Sequence, residues 1–188
     1  MRQLSILFGI LLTLPVFGAP RNSFPAWAEL CGIRVGVDSM ETLERKLGPG
    51  EPCIGGHARS GRAWRLPEAG CDVYADAFHY NDRGERVLDT LSMTRLQADS
   101  TAPMAALGWR LTLFNRQVRL GMSKEQVSEA LGSKWPAPKV DGAAWVWKAV
   151  GSVPFNRRNR YATQQWQATL RFEKGRLAEI MLQSSLNK

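Results

Sequence analysis

Val118-Arg119-Leu120-Gly121-Met122-Ser123-Lys124-Glu125-Gln126-Val127, running on to Leu131-Gly132, has a counterpart earlier in the chain. That counterpart is Ile33-Arg34-Val35-Gly36-Val37-Asp38-Ser39-Met40-Glu41-Thr42-Leu43, running on to Leu47-Gly48. The two agree position by position apart from one extra residue at Asp38. Local physics gives both the same reading. Asp38 or Ser39, and Ser123, are good N-cap residues; Asp38 with Glu41 and Ser123 with Gln126 have the spacing of a capping box. Leu43 and Leu47, like Val127 and Leu131, stand four apart on one face of a short helix. Gly48 and Gly132 sit where a helix ends and a left-handed residue is wanted.

The correspondence continues outward. Gly61-Arg62-Ala63-Trp64 answers to Gly142-Ala143-Ala144-Trp145. Strand-like runs follow at 72–80 and 165–172, each closed by a glycine-containing turn, Asn81-Asp82-Arg83-Gly84 and Glu173-Lys174-Gly175. Second strands follow at 85–93 and 176–183, so each pair reads as a hairpin. The expected fold is therefore α+β: two tandem repeats, each a short helical layer packed on an antiparallel sheet, together forming one concave sheet. Their expected bounds are 20–97 and 112–188, with a linker at 98–111. A unit of about 70 residues is marginal on its own, and a shared sheet edge or helix interface would remedy that.

The first residues bear on compartment. Met1-Arg2-Gln3 is a short positive start, 4–17 is apolar without a charge, and Gly18-Ala19 offers small residues before Pro20. This is the layout of a signal peptide over 1–19, and the chain is expected to be periplasmic or secreted. Leu30 before Cys31 argues against a lipidated cysteine, and no later segment has the roughly 18 apolar residues of a membrane span. With 44% hydrophobic and 22% charged residues among 188, the chain is globular in composition. Its net charge of +8 suits anionic envelope polymers, lipid headgroups or an acidic protein partner, or serves solubility alone. No nucleic-acid-binding motif is present.

Beyond the leader there are three cysteines, Cys31, Cys53 and Cys71, and export permits disulfides. Cys53 and Cys71 flank a loop rich in Gly and Arg and are favoured as a pair over any pairing with Cys31, at about 3 kcal/mol for closing such a loop. Cys31 is then left over as a buried thiol or a link to another chain.

The motif at 118–132, with Trp145 and the hairpin Phe172-Glu173-Lys174-Gly175-Arg176-Leu177, resembles the opening and continuation of the SmpA/OmlA (BamE-like) family. A tandem pair of such units resembles the β-lactamase inhibitory protein (BLIP)-like fold, a likeness strengthened by Leu113-Phe114-Asn115 and by the position of Cys53 and Cys71. The resemblance implies a non-enzymatic binder with helices on one side of a continuous sheet and the other, concave side displayed. The second unit departs from it in having no cysteine pair, and the chain has no lipid-attachment cysteine. Sharing a fold with an inhibitor does not imply inhibition of β-lactamase.

Chemistry-bearing patterns are sparse. The only histidines, His57 and His79, stand in a Gly-rich loop and within a strand, and nothing in their spacing pairs either with a cysteine as a nucleophile. No His or Cys pair has zinc-ligand spacing, and Gly48-Pro49-Gly50 and Gly55-Gly56 lead into no phosphate-loop pattern. Neither cofactor nor metal is expected, nor an enzyme. Asp72 and Asp76 share a strand face, more simply as charged groups on an open sheet than as an acid–base pair.

Binding residues are sought instead among displayed aromatics and arginines. In 72–80, Asp72, Tyr74 and Asp76 share a face with Phe78 and Tyr80, while Val73, Ala75, Ala77 and His79 suit packing under a helix; a bulge or longer turn would reverse this parity. In the second unit Ala168, Leu170 and Phe172 should face the helices, leaving Gln167, Thr169 and Arg171 outward. Trp145 and Trp147 share one face and form a hot spot if that face is open, core filling if it is not. Arg157, Arg158 and Arg160 beside Tyr161 form a basic loop suited to an acidic partner. The function expected is an exported, non-catalytic protein-binding module, an inhibitor or modulator of an envelope or extracellular protein, monomeric or weakly dimeric. The alternative is a factor for envelope assembly or for binding anionic surface polymer.

Overall fold

The computed structural model describes residues 25–30, 32–55, 58–67, 70–80, 84–96, 118–133, 136–154 and 161–187. A 3₁₀ turn at Ala26–Ala28 leads into a two-stranded ribbon, β1 (Glu29–Leu30) with β2 (Ile33–Arg34), and then α1 (Met40–Leu47). β3 (Glu51–Gly55), β4 (Ala58–Leu66) and β5 (Cys71–Asp76) follow. Next come the short β6 (His79–Tyr80) and β7 (Arg86–Val87), which pair with each other, and β8 (Thr90–Arg95). Beyond residue 117, α2 (Lys124–Leu131) precedes β9 (Lys139–Asp141), β10 (Ala144–Pro154), β11 (Tyr161–Glu173) and β12 (Arg176–Asn187).

The α+β expectation of two helix-on-sheet repeats is overturned. Among the described residues the chain is mostly β: one eight-stranded sheet in the order β3-β4-β5-β8-β12-β11-β10-β9, every neighbour antiparallel. The only α-helices there are α1 and α2, of eight residues each. Nor are there two cores, because a single buried cluster takes in residues of both helices and of the sheet from Trp64 to Trp147. An eight-residue helix is about two turns, so the sheet supplies most of the burial.

What does recur is local. Ser39 Oγ accepts from Thr42 N, and Ser123 Oγ accepts from Gln126 N. Gly36 N donates to Leu88 O and Leu88 N to Asp38 O; in the same way Gly121 N donates to Leu177 O and Leu177 N to Met122 O. Each segment leading into a helix is thus clamped by two backbone bonds to one distant residue, Leu88 between β7 and β8 or Leu177 in β12, which satisfies groups that would otherwise be buried without partners.

β11 also reaches across the sheet. The Trp166 indole donates to Val35 O at 3.1 Å and Gln164 Nε2 to Gly36 O at 2.9 Å, and Gln164 Nε2 donates to Ser184 Oγ at 2.7 Å as well. Gly36 has φ +82°, and a Cβ there would fall onto Gln164 Nε2 and Ser184 Oγ. Only glycine fits, both for the dihedral and for the close approach.

Candidate functional site

Antiparallel register decides which side chains share a face, because directly opposed residues point the same way. One set of rows is buried beneath the helices: Trp145, Leu170, Ile180, Met93, Val73 and Trp64 oppose one another across six strands. The next row on that side runs Trp147, Ala168, Leu182, Leu91, Ala75. Met40, Leu43 and Leu47 of α1 and Val127 and Leu131 of α2 complete this side of the core.

The intervening rows point to the opposite side, which no helix of the described residues covers. The first is Ala144, Arg171, Glu179, Thr94, Asp72 and Arg65. The central one is Val146, Thr169, Met181, Ser92, Tyr74 and Ala63. The third is Lys148, Gln167, Gln183, Thr90 and Asp76. Charges on the first row are paired across strands, Arg171 Nε to Glu179 at 3.4 Å and Arg65 Nε to Asp72 at 3.3 Å. Two hollows mark this face. One, of about 400 Å³, lies around Val146, Thr169, Met181, Gln167, Arg171 and Asp141. The other, of about 440 Å³, lies between the Phe78–His79 segment with Asp89 and the strand residues Lys148, Val150, Gln165, Gln183 and Ser185.

This settles where the sequence-derived candidates lie. Asp72, Tyr74, Asp76, Gln167 and Arg171 come together on the uncovered face. Asp76 is nonetheless buried, because the Tyr74 hydroxyl donates to it at 3.2 Å and its other oxygen accepts from Ala77 N. Burial first, and then the Asp76 carboxylate, push the Tyr74 phenol up to about 12. Gln167 donates to Thr169 Oγ1 at 3.1 Å.

One alternative left open by the sequence is resolved, and one expectation is corrected. Trp145 and Trp147 belong to the covered side. Trp147 is 4% exposed, its indole donates to Pro136 O at 2.8 Å, and Trp145 packs edge-on against both Trp147 and Phe172. Trp147 is core and Trp145, partly buried, packs against it, in keeping with their opposition to Ala168 and Leu170. Cys53 and Cys71 form no disulfide with each other. Cys53 opposes Gly61, whereas Cys71 opposes Leu66 at the far end of β4 and lies one strand further across. Five residues of strand are about 17 Å, far beyond the roughly 7 Å that a disulfide spans between Cα atoms. Burial raises the Cys53 thiol, as does the nearby Asp76 carboxylate, so it is a poor nucleophile.

Arg157, Arg158, Arg160, Cys31, His57, the leader at 1–19 and the linker at 98–111 lie outside the described residues. Among the described residues, no group of three or more His, Cys, Asp or Glu could hold a metal ion, and no helix is long and apolar enough to cross a membrane.

One constellation escaped sequence reading. Asp89 Oδ1 stands 2.7 Å from His79 Nδ1, and its Oδ2 accepts from the backbone N–H of both Phe78 and His79. The carboxylate fixes the ring and the backbone of the segment walling the larger hollow. Ten residues separate Asp89 from His79; the β6–β7 pairing, which sets His79 opposite Val87, and the adjoining β5–β8 pairing bring them together, but the hairpin pattern alone does not show that the carboxylate meets the ring. Comparison of the chain with protein-family models, with curated proteins and with solved structures finds no match.

Proposed function

We propose that the chain is an exported, non-catalytic protein-binding module that takes a protein of the envelope or the exterior onto the uncovered face of its sheet and modulates it. The observation that carries this is the layout of that face. Met181 and Tyr74 stand half-buried in the central row beside the buried Val146, flanked by a row of paired charges and a row of two amides, one hydroxyl, one lysine and the buried Asp76. An apolar and aromatic centre within a polar rim is how protein interfaces are built. The smaller hollow beside Met181 and Arg171 offers a partner side chain a pocket, and arginine is favoured at such sites.

The test is capture from an extract of the producing cell's envelope, at low salt and again at about 0.5 M, where charges beyond about 4 Å are screened. One protein should be retained at both salts and lost with Met181→Glu, which places a charge in the centre of the face. Capture that vanishes with salt, survives Met181→Glu and requires Arg157, Arg158 and Arg160 would instead favour the envelope-polymer reading.

A further inference from the structure

We infer that the larger hollow is a second site, adjoining the protein-docking centre and meeting the smaller hollow at Gln167, and that it takes a short carbohydrate segment. Its volume of about 440 Å³ falls within the roughly 300–1,000 Å³ of small-molecule sites, with room for a ligand of about disaccharide size. The register sets Lys148 and Gln183 in one row and Gln165 in the next, all facing the hollow from exposed positions. No side-chain bond within the described residues occupies any of the three. A primary amide offers a donor and an acceptor side by side, which matches adjacent sugar hydroxyls, themselves donor and acceptor.

The opposite wall supplies the apolar half. Phe78 is 47% exposed and lines the hollow. A ring held at that level of exposure offers a flat surface for the C–H face of a pyranose. Its position is not loose, since Asp89 takes the Phe78 and His79 amides and the His79 ring together. The site is thus held in shape before a ligand arrives, which lowers the ordering cost of binding.

Charge and composition favour sugar over the other occupants. Lys148 is the one lysine or arginine lining the hollow, and His79 there is held against Asp89. A single exposed ammonium is weak recognition for an anion. A peptide anchor would look for exposed Trp, Tyr or Arg; none lines the hollow with its side chain displayed, Trp166 being 3% exposed.

Isothermal titration of the full mature chain with maltotriose, cellotriose and chitotriose, beside a capped trialanine, tests this. At least one trisaccharide should bind tighter than about 1 mM. Phe78→Ala and Gln183→Ala should each weaken it by about tenfold or more, with thermal melting showing both folded. Phe78→Trp should retain binding, and Lys139→Ala on the edge strand should leave it unchanged. Absence of trisaccharide binding, binding of the peptide alone, or affinities indifferent to Phe78→Ala and Gln183→Ala would each overturn the assignment. Protein capture is read through Met181, outside this hollow, so either idea can fail without the other.

Discussion

Trp147 separates a structural role from a binding role more sharply than any other residue here. It is 4% exposed, sits opposite Ala168 on the helix-covered side of the sheet, and donates its indole N–H to Pro136 O. Replacing it by alanine removes a bicyclic ring from a packed core, a change that costs about 3–5 kcal/mol. The Pro136 carbonyl loses its donor as well, at about 1 kcal/mol if water does not replace it. Against a total stability of about 5–15 kcal/mol, the variant should keep its fold with much of its margin gone. At about 3 °C per kcal/mol for a chain of this size, a loss of 4 kcal/mol lowers the melting temperature by about 12 °C. Trp147→Phe retains most of the apolar contact and should lose only about 1–2 kcal/mol. Denaturant titration with two spectroscopic probes measures both changes, and capture should persist below the lowered melting point. A Trp147→Ala protein as stable as the parent yet unable to bind would refute the assignment of this side as core.

Three further outcomes follow from particular contacts. Tyr74 titrates at about 12 in the fold against 10.0 unperturbed. The folded state therefore holds the proton more tightly, and the associated stability is complete below pH about 10 and lost as pH rises towards about 12; Tyr74→Phe should flatten that limb of a stability–pH curve. Peptide mapping of the unreduced protein should yield no Cys53–Cys71 crosslink, and its recovery would contradict the register of β3, β4 and β5. Gly36→Ala should destabilise by about 1–3 kcal/mol through its positive φ and the displaced Gln164 and Ser184 side chains, measured as a shifted unfolding midpoint, whereas Gly175→Asn, in an open turn at φ +74°, should cost far less.

The parts of the fold legible in the sequence are those decided within about ten residues. Ser123 with Gln126 forms the capping box that their spacing suggests. Glu173-Lys174-Gly175-Arg176 makes a tight hairpin turn in which Lys174 and Gly175 both take positive φ, as primed turns require. Ala168, Leu170 and Phe172 are all buried, following their alternation with polar neighbours. The illegible parts depend on register between distant strands. The pattern in β10 shows that Trp145 and Trp147 share a face, but which face follows only from their opposition to Leu170 and Ala168, set across a connection whose length fixes no register. The proposed disulfide failed for the same reason: proximity along the chain says nothing of how far apart β3 and β5 place their ends. The continuous strand expected over 72–80 breaks after Asp76, where that side chain turns to cap Ala77 N, and this break sends Phe78 and His79 to the wall of the hollow.

That break and the clamp from Asp89 are coupled. Asp89 N donates to Asp76 O, and Ser184 N donates to Asp89 O, so the residue that anchors Phe78 and His79 is itself fixed by both neighbouring strands. A hollow on a sheet of this kind would close if β5 simply continued, because its residues would extend the flat face. Instead His79 and Tyr80 pair with β7, and the Asp89 carboxylate takes the Phe78 and His79 amides and the His79 ring at the wall of the hollow. The geometry of the larger hollow is therefore a property of Asp76 and Asp89 before it is a property of the groups that line it. Asp89→Asn, which keeps one acceptor oxygen, should preserve more of the wall than Asp89→Ala; the amide exchange of Phe78 and His79 is the readout, and equal protection in both variants would show that backbone pairing alone keeps the hollow open.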